Sequence, residues 1–243
     1  MLNSFKKIVS DQQFYPTWLG VFINPFYFAR KGLYESINTF SQEIKGKTLD
    51  IGCGNKPYEK LFNSSEYIGL EIDSPENRKN KKADYFYAGD QFPFPDNSFD
   101  SVVTNQVFEH IFNPEIFLAE TYRVLKDDGI LLISVPFVWD EHEQPYDYAR
   151  YSSFGLKFLL NKHGFYVIHY KKSMNDIRVI FQLINAYLYK ITLTQNNRVN
   201  FFLVLILMSP FNILGELLYK IMPKNEDLYL DIVILAKKGK INE

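Results

Sequence analysis

Thr48-Leu49-Asp50-Ile51-Gly52-Cys53-Gly54-Asn55-Lys56-Pro57-Tyr58 is the stretch from which the rest of the chain can be read. A short apolar run leads into two glycines separated by one small residue, and a carboxylate stands two positions before the first of them. Glycine tolerates positive φ and removes the side chain that would hold a ligand off the backbone. A strand turning sharply into a helix aims unused backbone N–H groups at whatever binds there. The stretch reads as strand, turn and a short helix over 57–63, a docking place for a nucleotide-like ligand.

Working outward, the pattern alternates. Upstream, residues 1–23 are aromatic and irregular, and Asn24-Pro25 reads as a helix start. Phe26, Leu33, Ile37, Phe40 and Ile44 then recur at the period of one helix face, with Gly46 as the stop. This helix is either an ordinary packing element or a lid over the glycine turn. Downstream, strands are expected at 67–73, 84–88, 100–105, 130–135, 165–170 and 228–236. Residues 78–82 read as a basic loop and 127–129 as a turn. Helices are expected from Asn113-Pro114 and from Ser152 or Ser153. Alternation of this kind predicts an α/β, Rossmann-like sheet of seven mostly parallel strands with helices on both faces. The expected organisation is a single domain over 1–243. It has an N-terminal helical addition (1–46), a ligand-binding core (47–172), a helical insertion (173–227) and a last strand (228–237).

Composition narrows the function. A chain of 243 residues buries a substantial core, and 47% apolar with 17% aromatic residues suits one. A net charge of −1 gives no pull toward nucleic acid. The lone Cys53 permits no internal disulfide or cysteine metal cluster and fits a reducing, cytoplasmic setting. Lys6 and Lys7 are not followed by the apolar run of a secretion signal. In 174–222 the uncharged run Phe201–Met208 is only eight residues long before Ser209, Pro210 and Asn212 interrupt it. A bilayer span needs about 20 apolar residues, so a buried helix pair or a membrane-resting surface is expected instead.

The dinucleotide fingerprint needs a third glycine where Pro57 stands, which disfavours NAD or FAD. Glu71 and Asp73 lie 19 and 21 residues beyond Gly52, at the end of the second strand, where a carboxylate can accept from two ribose hydroxyls. Asp90 supplies a further acid after the third strand. Lys56 is present, but the rest of a Gly-Lys-Ser/Thr phosphate motif is not. The set suits an adenosine ligand without phosphates.

Leu49–Gly54, Tyr67–Glu71, Phe92–Asp100 and Asn105–His110, in this order, resemble class I S-adenosylmethionine-dependent methyltransferases, most closely the subgroup of quinone and small-molecule methylases. Arg123–Gly129 is similar to that subgroup's turn before the fifth strand, and the likeness covers about residues 46–170. The resemblance implies S-adenosylmethionine as cofactor. Asp50, Gly52, Cys53 and Gly54 would line its methionine part and Glu71 would bind the ribose. Ile72 would pack on the adenine, Asp90 with Gln91 would meet its amino group, and Asn105 and Gln106 would lie near the methionine end. The family's usual third glycine of the first motif is Lys56 here.

The acceptor side is expected in Trp139–Tyr151, which follows the fifth strand and combines carboxylates, His142, Arg150 and aromatic rings. Methyl transfer mainly requires alignment of donor and acceptor, and a hydroxyl acceptor also needs a base. His142 is the preferred base, with His110 a second catalytic candidate; the plain alternative is a solvated acidic loop around Glu141–Glu143. One His among scattered carboxylates is a weak ligand set, and no metal is expected. Trp139, Tyr148 and Arg150 are candidate substrate contacts, with Arg150 alternatively pairing Asp147 or Glu143. The segment His142–Arg150 resembles that of enzymes of bacterial surface-glycan or lipid-linked sugar modification. The expectation is methyl transfer to a small-molecule, glycan or lipid-linked acceptor by a cytoplasmic protein, with 174–222 as a region for peripheral contact at the inner face of a membrane. The rival readings are a non-catalytic cofactor-fold protein and a membrane-peripheral scaffold.

Overall fold

The computed structural model describes residues 9–239; Lys6 and Lys7 lie outside them. After one helical turn at Gly20–Ile23 the elements are α1 (Tyr27–Phe40), β1 (Lys45–Ile51), β2 (Asn63–Ile72), α2 (Pro75–Asn80), β3 (Tyr85–Tyr87) and β4 (Phe99–Asn105). They continue with α3 (Pro114–Val124), β5 (Leu125–Pro136), α4 (Ser153–Lys162), β6 (Phe165–Lys172) and α5 (Arg178–Thr192). A long helix α6 (Asn197–Leu218) and β7 (Asp231–Lys238) complete the order. The chain divides into two compact units. One holds the residues up to Ser36, Val138–Asp140 and Lys172–Asp231; the other holds Ile37–Phe137, Glu141–Lys171 and the chain from Ile232.

The second unit is built on a seven-stranded sheet in the order β3-β2-β1-β4-β5-β7-β6. The pairs β2–β3, β1–β2, β1–β4 and β4–β5 are parallel, so the carboxyl ends of five strands share one edge. Strand order reverses between β1 and β4, where open α/β sheets bind ligands. Leu49 and Ile51 of β1, Val102 and Val103 of β4, and Leu131–Ile133 of β5 are all fully buried. That explains the continuous apolar runs: both faces of these strands are covered.

Several local expectations are corrected. No helix forms over 57–63; a single 3-10 turn, Glu59–Leu61, precedes β2, whose Asn63 amide already bonds to Ile44 O. So short a segment cannot offset helix nucleation. Conversely, the basic 78–82 loop belongs largely to α2. Ser74 accepts from the Asn77 amide, Pro75 occupies the first turn, and Arg78 and Lys79 sit in the last turn. Gly46 does not stop a helix. The upstream helix α1 ends at Phe40, and Gly46 lies in β1 at φ +67, beside a register shift. A Cβ there would come within 2.5 Å of Asp100 Oδ2, which instead accepts from the Lys47 amide at 2.8 Å. The 127–129 turn is embedded in β5: Phe99 pairs with Leu125 and Ser101 with Ile130, and Asp128 takes φ 63.

The first unit has its own core, formed by Tyr27, Phe28, Met174, Val179, Phe181 and Leu230. Buried amides tie it together. Gln182 accepts from the Ala29 amide and donates to Pro25 O, both at 3.0 Å. Asn24 closes a turn by accepting from the Phe26 amide at 2.9 Å, just before α1. The expected interruption at Ser209-Pro210 does not break α6. A π-helical turn, Val204–Met208, precedes Pro210 and absorbs its missing donor and its ring, so the helix runs 22 residues.

Candidate active site

The glycine turn leaves β1 at the switch point. Gly52 and Gly54 adopt φ +71 and +53. At Gly52 a side chain would collide with Val107, its Cβ 2.3 Å from Cγ2. At Gly54 a Cβ would meet nothing within 4 Å, so open space lies directly over the turn. The Gly54 amide donates to Glu71 Oε2 at 3.0 Å, which draws the β2 carboxylate to the same opening. Lys56 takes φ 54, the left-handed conformation a glycine would adopt there. Its ammonium pairs with Asp84, which also accepts from the Gly69 amide at 2.7 Å. The loop keeps the glycine path without the glycine.

Asp50 is almost fully buried, and burial pushes its carboxyl up to about 7, with the Tyr67 hydroxyl donating to Oδ2 at 2.8 Å in partial opposition. Cys53 is also buried, its thiol pushed up to about 12 first by burial, which makes it a packing residue and a poor nucleophile. Ile72 stays exposed at the end of β2, and a Cβ at Gly89 (φ +107) would sit 3.4 Å from its Cδ1. The exposed Asp90 and Gln91 follow directly. At the end of β4, Gln106 takes φ 56 and its amide donates to Ser134 O, while Ser134 Oγ donates to Asn105 Oδ1 at 3.2 Å. Arg123 holds the Phe92–Asp96 loop, donating to Phe92 O, Phe94 O and Asp96, and is anchored by Glu120.

Beyond β5 the 141–150 loop folds onto the short turn Phe108–His110. Glu109 is completely buried, and its carbonyl accepts from the amides of Tyr148 and Ala149 at 2.9 and 3.2 Å. Its Oε1 lies 3.8 Å from His110 Nε2 and 3.9 Å from His142 Nε2. His110 Nδ1 is 2.9 Å from the Tyr146 carbonyl, which can only accept, so that nitrogen carries the proton. His142 Nδ1 is 3.2 Å from Asp147 Oδ2; Arg150 Nη2 lies farther from it, at 3.4 Å. Burial opposes ionisation of Asp147, but Arg150, bonded through both Nη atoms at 2.5 Å, and the His142 amide hold its carboxyl down at about 2. Nδ1 thus lies between the Asp147 carboxylate and the Arg150 guanidinium, which can only donate, while Nε2 faces the buried Glu109 carboxylate. Glu109, His110 and His142 bring three ligand-type atoms within 4.8 Å of one another, a set that could also hold a divalent ion. An open hollow of about 330 Å³, lined by Glu141, Gln144, Pro145 and Asp147, flanks the loop.

The three expected acceptor contacts are divided between the units. Tyr148 stands by Phe112 in this cluster, and Arg150 is committed to Asp147. Trp139 belongs to the other unit, where its ring meets Phe26 at 5.7 Å. Sequence reasoning missed Glu109 and Tyr67. Neither carries a spacing signal; only the Glu-His step at 109–110 hinted at the first.

Residues 49–133 match the methyltransferase domain family. Over this stretch the chain is similar to class I S-adenosylmethionine-dependent methyltransferase domains. Among similar proteins, the fatty-acid O-methyltransferase of Mycolicibacterium smegmatis is 32% identical over 103 residues, covering 37% of each chain. The ubiquinone biosynthesis O-methyltransferase of Pelagibacter ubique is 31% identical over 98 residues, 36% of this chain and 41% of the relative. An uncharacterized methyltransferase of Schizosaccharomyces pombe is 28% identical over 153 residues, 54% of this chain and 55% of its own. This chain thus spans about half or less of these curated relatives. The fold matches phosphoethanolamine N-methyltransferase 2 of Haemonchus contortus in complex with S-adenosyl-L-methionine (TM-score 0.54, 18% identity, 95% of this chain, 59% of the other). It also matches an S-adenosylmethionine-dependent methyltransferase of Mesorhizobium loti (TM-score 0.53, 11% identity, 85% and 97%).

S-adenosylmethionine is the cofactor of this domain, and the site accommodates it. The space over Gly54, the Glu71 carboxylate beside it and the Ile72–Gly89 wall are suited to an amino-acid end, a ribose and an adenine in turn.

Proposed function

We propose that this chain transfers a methyl group from S-adenosylmethionine to a hydroxyl of a small-molecule, glycan or lipid-linked acceptor, in the cytoplasm and at the inner face of a membrane. When bound, the cofactor supplies a methyl carbon already activated by a sulfonium. The work left to the chain is to align the acceptor oxygen and take its proton. Glu71 would hold the ribose hydroxyls, Asp50, Gly52, Cys53 and Gly54 would line the methionine part, and Ile72, Asp90 and Gln91 would hold the adenine. Asn105 and Gln106, tied to Ser134, form the wall toward the acceptor.

The observation that carries the hydroxyl reading is His142, oriented by an ionised Asp147 at 3.2 Å and set beside His110 and the buried Glu109. His142 would take the proton of the acceptor hydroxyl as the methyl carbon passes from sulfur to that oxygen, the carbon–sulfur bond breaking to leave S-adenosylhomocysteine, and Asp147 would stabilise the resulting imidazolium. Tyr148 and Arg150 border the acceptor. The names of the mycobacterial and Pelagibacter relatives point to oxygen as the methylated atom in those proteins, which supports the same choice here.

The test is a radiolabelled-methyl assay against a fractionated extract, with calorimetry using S-adenosylhomocysteine. Saturable binding that Glu71→Ala abolishes, together with label in one fraction, is the expected result. Binding without label transfer to any fraction would instead make the chain a non-catalytic cofactor binder.

A further inference from the structure

Helix α6 is the one helix among the described residues long and apolar enough to cross a bilayer, yet only 28% of its apolar window is buried. Its inner face is committed to the first unit. Val204, Met208, Asn212 and Gly215 are buried at helical spacing. Asn212 donates to Val21 O at 2.9 Å and Asn24 O at 3.1 Å, and also accepts from Asn185 at 2.9 Å. A helix bonded this way to its own unit's backbone stays with that unit and does not leave it to span.

The opposite face is apolar and bare. Phe202, Ile206 and Leu217 are 58%, 66% and 57% exposed, and α5, packed on α6, presents Ile180, Tyr187 and Ile191 at helical spacing. Scattered exposed apolar residues need no explanation, but two adjacent helices with outward apolar stripes do. Between Arg178 and Lys224 there are five basic residues and one acid, Glu216. Arg178 and Lys190 pair with Asp176 and Asp140, so the outward basic charge is that of Arg198, Lys220 and Lys224, with Glu226 and Asp227 following beyond them. Arg198, Lys220 and Lys224 are exposed at the ends of α6 and just beyond it. A second copy seated on this face would bring the same basic residues toward each other. An anionic headgroup layer neutralises them while the apolar stripes enter the acyl boundary.

We propose that the first unit docks on an anionic bilayer through the outward faces of α5 and α6, lying in the interface without spanning it. This proposal is independent of methyl transfer. The test is flotation of the full chain with phosphatidylcholine vesicles, with and without phosphatidylglycerol. The chain is expected to float with the anionic vesicles and far less with the neutral ones. An I206E/L217E variant, changed only at exposed positions, is expected to lose binding about tenfold or more with unchanged circular dichroism. A K220E/K224E variant should lose the preference for phosphatidylglycerol, which covers the case in which the first variant misfolds. Glu71→Ala should float like the parent, separating this docking from the cofactor site. The proposal is overturned by absence of flotation, or by flotation that neither variant weakens. It is equally overturned by a dimer in light scattering that I206E/L217E dissociates while the parent ignores vesicles.

Discussion

Lys56 stands in a left-handed conformation that costs a non-glycine residue on the order of 1 kcal/mol, and its ion pair with Asp84 offsets that strain. Lys56→Gly should therefore change thermal stability little, because backbone relief and the lost pair oppose each other, whereas Lys56→Val should lower it. A melt of the two variants side by side checks this. Asp50 carries a second consequence. Its folded carboxyl, near 7 against an ordinary 3.8, binds a proton that the unfolded chain has released, so its contribution is present below about pH 4 and lost as pH rises through 7. The melting temperature of the parent relative to Asp50→Asn should fall between pH 5 and pH 8; parallel curves would mean that the carboxyl is ionised when buried. Asp147 has the opposite sign: its contribution is present above the ordinary carboxylate value and is lost only as pH falls through about 2.

The loop 141–150 acts as an element because Asp147 and Arg150 fold it back on His142 and the Glu109 carbonyl accepts from the Tyr148 and Ala149 amides. With His142 as base, His142→Ala should reduce turnover by about a hundredfold or more while leaving S-adenosylhomocysteine affinity intact. Asp147→Asn should lower turnover too, again without weakening cofactor binding. Chelation should leave the rate unchanged. A rate that EDTA abolishes and a divalent ion restores would assign Glu109, His110 and His142 to a metal instead. In the other unit, α6 seats closely because Gly215 lacks a side chain: a Cβ would lie 2.6 Å from Phe28 Cζ. Gly215→Val should destabilise the protein by about 1–3 kcal/mol, read by urea unfolding.

For the molecule as a whole, two kinds of surface are set by different physics. The sheet edge of the second unit gathers β-strand termini that parallel pairing forces together, and the cofactor site follows from that topology. The first unit uses buried amides to hold one face of α5 and α6 and leaves the other to its surroundings. If anionic lipid is the surrounding, flotation should weaken steadily as salt rises past physiological strength, since exposed charges are then screened within about 8 Å. Binding insensitive to salt would leave only the apolar contribution.

How far the chain could be read before its structure was seen depended on whether a feature is local. The glycine turn, the acids Glu71 and Asp90 at their spacing, the alternation of strands and helices and the Ser152 helix start are local, and they pointed to an adenosine-binding α/β core. The Ser74-Pro75-Glu76 start of α2 is equally local, but the basic residues after it give the pattern of a solvated loop and mask it. Other features had no local signal. That Gly46 makes room for Asp100, that Glu109 lies buried under two imidazoles and that Trp139 sits with Phe26 are meetings of residues far apart in the chain. Pro210 read as an interruption because its cost is visible in sequence, while the π-turn that absorbs it is not. Sequence alone therefore settled the donor half of this protein, since a backbone turn and a few spaced carboxylates define an adenosine site within one sheet edge. Only tertiary structure decided the meeting of His142 with Asp147 and Glu109 and the exposed face of α6, because those depend on which distant surfaces pack together and which are left over.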